Sequence, residues 1–111
     1  VDSLPVLGVV WEPALNRWTY ASHGQGCYTE VGRVCQVTTT ATLEQATLVQ
    51  SHTRPDRPSP VIAALHPAQV VQTHSAGVKL ARVARGEADL YVNFYGNFND
   101  WDIAAGHILV T

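Results

Sequence analysis

The chain predicts an α/β domain with a mixed β-sheet packed against helices. Its first third alternates and turns as antiparallel strands do, and its later part alternates strand-like with helix-like runs. Glycine or proline punctuates most junctions. A length of 111 residues suits one such domain with a single modest core.

Pro5 to Trp11 is rich in strand formers, Glu12 to Asn16 carries a turn proline, and Arg17 to His23 is strand-like again, which reads as a hairpin. Gly24, Gln25 and Gly26 then lead through a tight turn into a third strand, Cys27 to Val31. Thr38 to Ala46 is threonine-rich and reads neither way. Leu48 to Gln50 reads as a short buried strand that delivers Ser51 and His52 to its end. Pro55, Pro58 and Pro60 bar helix or ladder from Thr53 to Pro60. Ile62 to Leu65 predicts a helical turn, and Gln69 to Thr73 alternates as a strand. His74, Ser75, Ala76 and Gly77 connect it to a helix from about Ala76 to Arg85, with Ala76, Leu80, Val83 and Ala84 as its core-facing stripe. Gly86 ends that helix. Asp89 to Phe94 predicts a strand, Tyr95 to Asn99 a loop, and Asp100 onward the final helix.

With 46% hydrophobic and only 14% charged residues, the chain is apolar for a small free-standing domain, so some of its apolar surface is expected to meet another domain or chain. A formal net charge of -2 argues against a broad basic face for a nucleic-acid polymer and leaves small anions open. There is no run of about 18 apolar residues and no signal-peptide pattern, so no membrane association is expected. Cys27 and Cys35 match no common zinc spacing and are too few for a disulfide scaffold; free thiols in a cytoplasmic protein are the expectation. Val1 opens directly into an apolar run and Thr111 closes inside another, which leads to the expectation of a segment from a longer chain.

Chemistry concentrates near the end, at Trp101-Asp102-Ile103-Ala104-Ala105-Gly106-His107. Asn99 or Asp100 can cap the last helix, leaving Asp102 in its first turn, where unpaired amides and the helix dipole favour negative charge. Such a carboxylate either stabilises the helix end or serves as a hard-cation ligand. Magnesium suits it, being held by one or two carboxylates, waters and substrate phosphate oxygens. Lys79 lies about 85° from the centre of its helix's apolar stripe by the roughly 3.6-residue period, which fits a lysine lining a cleft or one that snorkels to water. Arg82 and Arg85 fall on the outer face as solvated charges or a subunit contact, while Arg54 and Arg57 reach an anion only if the proline-rich loop folds over. His107 reads as a satisfied core histidine. Tyr95 and Phe98 either stack on a ligand ring or pack on the core.

The run Arg85-Gly86-Glu87-Ala88-Asp89-Leu90-Tyr91, followed by Trp101-Asp102-Ile103-Ala104-Ala105-Gly106, resembles the C-terminal half of the inositol monophosphatase superfamily, whose second signature is Trp-Asp-x-Ala-Ala-Gly. Pro5-Val6-Leu7-Gly8-Val9-Val10 through Pro13, then Gly24-Gln25-Gly26-Cys27-Tyr28, is similar to that family's hairpin. The resemblance implies that residues 1–111 are a single C-terminal, substrate-side domain of an αβαβα sandwich, with an N-terminal metal-binding half, carrying a Glu and Asp-Pro-x-Asp-Gly-Thr, outside this sequence. It implies Asp102 as the catalytic carboxylate on magnesium, hydrolysis of a phosphate monoester by metal-activated water, and no activity for the isolated chain.

Within the superfamily, Ser75-Ala76-Gly77-Val78-Lys79 resembles the Gly-Ser-x-x-Lys region of 3'(2'),5'-bisphosphate nucleotidases, and Ser51-His52 their Ser-His element. This implies substrate-binding roles for Ser51, His52, Ser75, Gly77 and Lys79, with Ser75, helix-start amides and Lys79 meeting the second phosphate. His74 stands where that motif commonly has glycine, Val78 where leucine is frequent, and Asn93 to Asn99 replaces a Pro-Arg-x-Gly-Pro-Thr-type loop. The expected function is a magnesium-dependent phosphomonoesterase converting adenosine 3',5'-bisphosphate to AMP and phosphate. Inositol monophosphatase is the near alternative, and a non-catalytic interaction domain of the same fold is the alternative of another class. Expected partners are a small phosphorylated substrate, the N-terminal half and a second copy in a homodimer, not a nucleic-acid polymer or a membrane.

Overall fold

The computed structural model describes residues 3–93, 96–97 and 99–111. Two ladders carry the strands: an antiparallel sheet of β1 (Leu7–Glu12), β2 (Arg17–Ser22) and β3 (Cys27–Thr29), and a parallel pair of β4 (Thr47–Gln50) and β5 (Gln69–Gln72). Helices α1 (Pro60–Leu65), α2 (Ala76–Ala84) and α3 (Asp100–Val110) complete the α/β arrangement. Both parallel and antiparallel pairing are therefore present, as expected of a mixed α/β fold.

The hairpin forms because alternate residues of β1 face inward: Gly8, Val10 and Glu12 are buried while Leu7, Val9 and Trp11 are exposed. Its register sets Val9 opposite Tyr20 and Trp11 opposite Trp18, and Tyr20 in turn faces Tyr28, whose ring stacks on it at 5.8 Å. The outer face is thus an unusually apolar sheet surface, with Leu7 66% and Trp11 63% exposed. Contiguous apolar surface of this kind is suited to contact with another domain or chain.

Several elements depart from the sequence expectation. The third strand ends at Thr29, because a turn with Gly32 N–H donating to Thr29 O (2.8 Å) brings Val34 back to pair with Tyr28. Helix α1 begins at Pro60, earlier than expected: proline lacks only an amide hydrogen that a first turn leaves unused, and Ser59 Oγ caps the turn by accepting from Ile62 N (3.4 Å). The strand expected over Asp89 to Phe94 is reduced, in its described part, to one parallel bridge between Leu90 and Leu48. Asp89 turns its carboxylate onto Thr47 N–H (2.6 Å) and the Thr38 hydroxyl, and those two donors hold its carboxyl below the usual range. Phe94, Tyr95 and Phe98, and with them the question of ring stacking, lie outside the described residues.

Helix α2 is enclosed on several sides, by α3 and β1 and by β4. In consequence Lys79, Ala81 and Ala84 are its buried residues, whereas Ala76, Leu80 and Val83 of the expected stripe are half-buried. Gly86 ends the helix with φ of 77°, and a Cβ there would also meet Gln36 O at 2.6 Å. Arg85 does not point to solvent. Its guanidinium donates to Thr19 Oγ1 (3.1 Å), Glu30 (3.1 Å) and Glu87 (3.0 Å), while Arg17 spans Glu12 (2.8 Å) and Glu87 (2.7 Å). Burial alone would raise the Glu87 carboxyl, but the hydrogen bonds from Arg17 and Arg85 hold it below its ordinary value. His107 is exposed near the C-terminal end of α3 and is not a core histidine. Cys27 and Cys35 are free thiols, and burial, then the neighbouring Cys35, pushes the Cys27 thiol up to about 12, which keeps it unreactive.

The core gathers Val10, Ala21, Cys27, Ala81, Ala84, Ile108 and Leu109 where α2 and α3 lie on the inner face of the sheet. Two close approaches fix α3 there. A Cβ on Gly8 would lie 2.6 Å from Ala105 O and 2.2 Å from Ile108 Cγ2, and one on Gly106 would lie 2.7 Å from Leu80 Cβ. Gly8→Ala is expected to lower stability by about 1–3 kcal/mol through overpacking against backbone. The readout is a reduced denaturation midpoint at unchanged slope; an unshifted midpoint contradicts the close contact.

Candidate active-site cleft

A cleft of about 760 Å³ opens between the end of β4, the proline-rich loop, the start of α2 and the first turn of α3. Ser51 follows the buried strand Thr47–Gln50, so the rigid β4 delivers its hydroxyl to the cleft wall. Lys79 sits one turn into α2 and is only 4% exposed. Its Nζ donates to Ser51 Oγ at 2.5 Å and lies 5.1 Å from the centroid of the Tyr91 ring. Among the described residues Lys79 has no carboxylate partner. Of the two sequence readings, the structure favours the cleft lysine over the snorkelling one.

Ser75 caps α2 with its Oγ accepting from Val78 N (3.4 Å) and adopts φ of 68°, a strained conformation for a residue with a Cβ. His52 is exposed at the rim and stacks on His74, ring centroids 4.4 Å apart at 27°. Asp102, in the first turn of α3, accepts from Asn99 N at Oδ2 (3.0 Å). One lone pair so used leaves the carboxylate able to accept further bonds or to ligate a cation. Ser51, His52, Ser75, Lys79 and Asp102 therefore border one cleft, although they come from three separate stretches of chain. Gly77 does not border it. A Cβ there would make an ordinary 3.6 Å contact with Val10 Cγ2, so glycine is not required at that position for space.

Sequence reasoning missed Gln50 and Tyr91, both of which border the cleft. The signal for Gln50 was a polar residue closing an otherwise apolar buried strand; Tyr91 gave none, because its role depends on a lysine twelve residues away in sequence. Arg54 and Arg57 also border the cleft, so the proline-rich loop does fold over it. Among the described residues the lining holds three cationic side chains and one carboxylate, Asp102, in a chain of net charge -2. Such a wall favours anions.

Among the described residues no group of three His, Cys, Asp or Glu is placed to hold a metal ion, and Asp102 fits as one ligand at most. Nor, among the described residues, is any helix long and apolar enough to cross a membrane.

A fold of this topology with an anion-favouring cleft at a Trp-Asp helix start has known counterparts. The model of the inositol monophosphatase family matches residues 1–111, and the chain belongs to that family. Over 105 residues it is 31% identical to the 3'(2'),5'-bisphosphate nucleotidase CysQ of Salmonella typhimurium, a match covering 95% of this chain and 42% of that protein. The inositol monophosphatase structure from Anabaena superposes with a TM-score of 0.83 at 26% identity, covering 99% of this chain and 45% of that one. An IMPase from Thermotoga maritima superposes with a TM-score of 0.79 at 32% identity, covering 93% and 40%. The chain thus spans less than half the length of these relatives.

Burial lowers the pKa of Lys79 from its ordinary value of 10.5. A lysine whose folded pKa lies below its unfolded one costs stability at low and neutral pH, and the cost is relieved as pH rises from the folded pKa to the unfolded one. Unfolding of wild type and Lys79→Met across alkaline pH reads this directly. Wild type is expected to gain stability relative to the variant as pH approaches 10.5; a pH-independent difference contradicts it.

Proposed function

We propose that the full-length protein containing this chain is a magnesium-dependent phosphomonoesterase of the 3'(2'),5'-bisphosphate nucleotidase type, converting adenosine 3',5'-bisphosphate to AMP and phosphate. The observation that carries the reading is the buried Lys79 ammonium, held by the Ser51 hydroxyl in a cleft that also presents Ser75 and Asp102. A buried cation with no carboxylate partner among the described residues is a receptor for an anion, and a phosphate supplies both charge and acceptor oxygens. Ser75 and the first amides of α2 add neutral donors on the same side of the cleft. His52, at the rim, is assigned to the nucleoside part of the substrate.

Asp102 is assigned to the magnesium site as one of its carboxylates. When bound, that ion supplies activation of water and neutralisation of charge on the departing phosphate. The remaining ligands are assigned to the rest of the protein. The exposed apolar face of β1 and β2, with Leu7, Val9, Trp11 and Trp18, is suited to seat that other half. The isolated chain is accordingly proposed to be inactive. The two free thiols fit a cytoplasmic location.

Sequence identity does not separate this reading from inositol monophosphatase, at 31% to a bisphosphate nucleotidase against 26% and 32% to inositol monophosphatases; the Lys79 cleft is what supports it. A parent chain that lacks an upstream Asp-Pro-x-Asp-Gly-Thr element would instead favour a non-catalytic interaction domain.

Side-by-side turnover on the full-length protein tests the assignment. Adenosine 3',5'-bisphosphate is expected to be hydrolysed with a higher kcat/KM than inositol 1-phosphate, and only with magnesium present; the reverse preference hands the case to the inositol phosphatase. Asp102→Asn should reduce turnover by about 100-fold or more, on the scale of a lost charge-stabilising group, with the fold intact. Near-normal activity in that variant removes Asp102 from the metal site. Lys79→Ala should weaken binding of the bisphosphate more than that of a monophosphate, and equal losses would mean that Lys79 does not read the second phosphate.

A further inference from the structure

The loop over the cleft carries an arrangement that the assignments above leave unused. Arg57 N–H donates to Arg54 O at 3.0 Å, closing a turn in which Pro55 occupies the second position and fixes its φ. Arg54 and Arg57 form an isolated antiparallel bridge, so they stand directly opposite each other. Opposed residues of such a bridge project their side chains to one face, about 4.5–5.5 Å apart at Cβ, where like charges destabilise each other. Neither guanidinium is in an ion pair among the described residues, with Asp56 between them included. Both border the cleft.

A second observation lies beside them. Gln50 is only 6% exposed, and its Nε2 has no hydrogen-bond partner among the described residues. The Ser59 hydroxyl, which accepts from Ile62 N, donates its hydrogen to Gln50 Oε1 (2.8 Å), and the amide nitrogen is the unsatisfied end. A buried donor without an acceptor costs stability that a ligand oxygen restores. Ser59 thereby also ties the proline-rich loop to the end of β4.

We infer that Arg54 and Arg57, together with the Gln50 amide, are specificity-determining groups that favour a substrate bearing a second phosphate over a simple monoester. An anion between the two guanidiniums cancels their repulsion, and each planar fork matches two phosphate oxygens. The Gln50 amide donates to an oxygen of the same ligand. The cleft then grips the doubly phosphorylated substrate at two places: Ser75 and Lys79 at the start of α2, and the arginine turn. This inference rests on the bisphosphate reading of the cleft.

The test compares the full-length protein with an Arg54→Ala/Arg57→Ala variant, using adenosine 3',5'-bisphosphate and adenosine 3'-monophosphate as substrates. The ratio of kcat/KM for the bisphosphate over the monoester is expected to fall about tenfold or more, with the loss carried in KM, as expected for lost ion-pair contacts to substrate. Arg54→Lys/Arg57→Lys should recover part of the ratio, because charge returns without the fork. Gln50→Glu keeps an acceptor for Ser59, removes the amide donor and adds a negative charge, so it should also lower the ratio. Parallel loss on both substrates would mark a merely structural loop, and an unchanged ratio would overturn the inference while leaving the bisphosphate reading in place. If wild type itself shows no preference for the bisphosphate, the reading fails and the inference falls with it.

Discussion

The structure depends on the closeness with which α3 lies against both α2 and β1. Gly106 lets α3 press on Leu80 of α2, and Gly8 lets strand β1 approach the Ala105 carbonyl and Ile108. No larger residue fits at either contact without displacing its neighbour. Because the helix is locked near its middle, its first turn is carried to a defined place, and there Asp102 meets the cleft. The same contacts hold α2, which places Lys79 one turn above its N-terminus with the ammonium inside. Two glycines in the packing thus set the spacing between the only carboxylate and the only lysine that border the cleft among the described residues.

Two groups among the seven lysine and arginine side chains contrast with each other. Arg17 and Arg85 are satisfied structurally, forked onto Glu12, Glu30 and Glu87, and tie the hairpin to the end of α2. Lys79, Arg54 and Arg57 have no carboxylate partner among the described residues, and all three border one cleft. A protein of slightly negative net charge that leaves positive charge uncompensated in one concave place has a site for an anion. Of the three only Lys79 is buried, and because buried charge is costly its persistence without a carboxylate partner argues for use rather than stability.

Much of this was legible in the sequence, for physical reasons that differ by element. The hairpin followed from period-two alternation and turn residues, and α2 and α3 from their caps and apolar content. The Trp101 to Gly106 element identified the superfamily because a small-residue helix start beside a carboxylate is an uncommon pattern. What was not legible depends on long-range contact. Arg85 reads as solvent-exposed on a helical wheel, yet Thr19, Glu30 and Glu87 surround it. Asp89 to Phe94 has strand-like residues, but Asp89 bonds Thr47 and Thr38, and in the described part only Leu90 pairs. Gln50 and the arginine turn gained meaning only once the proline-rich loop was seen to close over the end of β4.

The central claim is that this cleft receives the second phosphate of a doubly phosphorylated nucleotide at Lys79. A crystal structure of the full-length protein with adenosine 3',5'-bisphosphate bound measures it directly. The account predicts a phosphate oxygen within about 3.2 Å of Lys79 Nζ, with the other phosphate beside Asp102. Finding the nucleotide bound with neither phosphate near Lys79, and the ammonium still engaged only with Ser51, would contradict it.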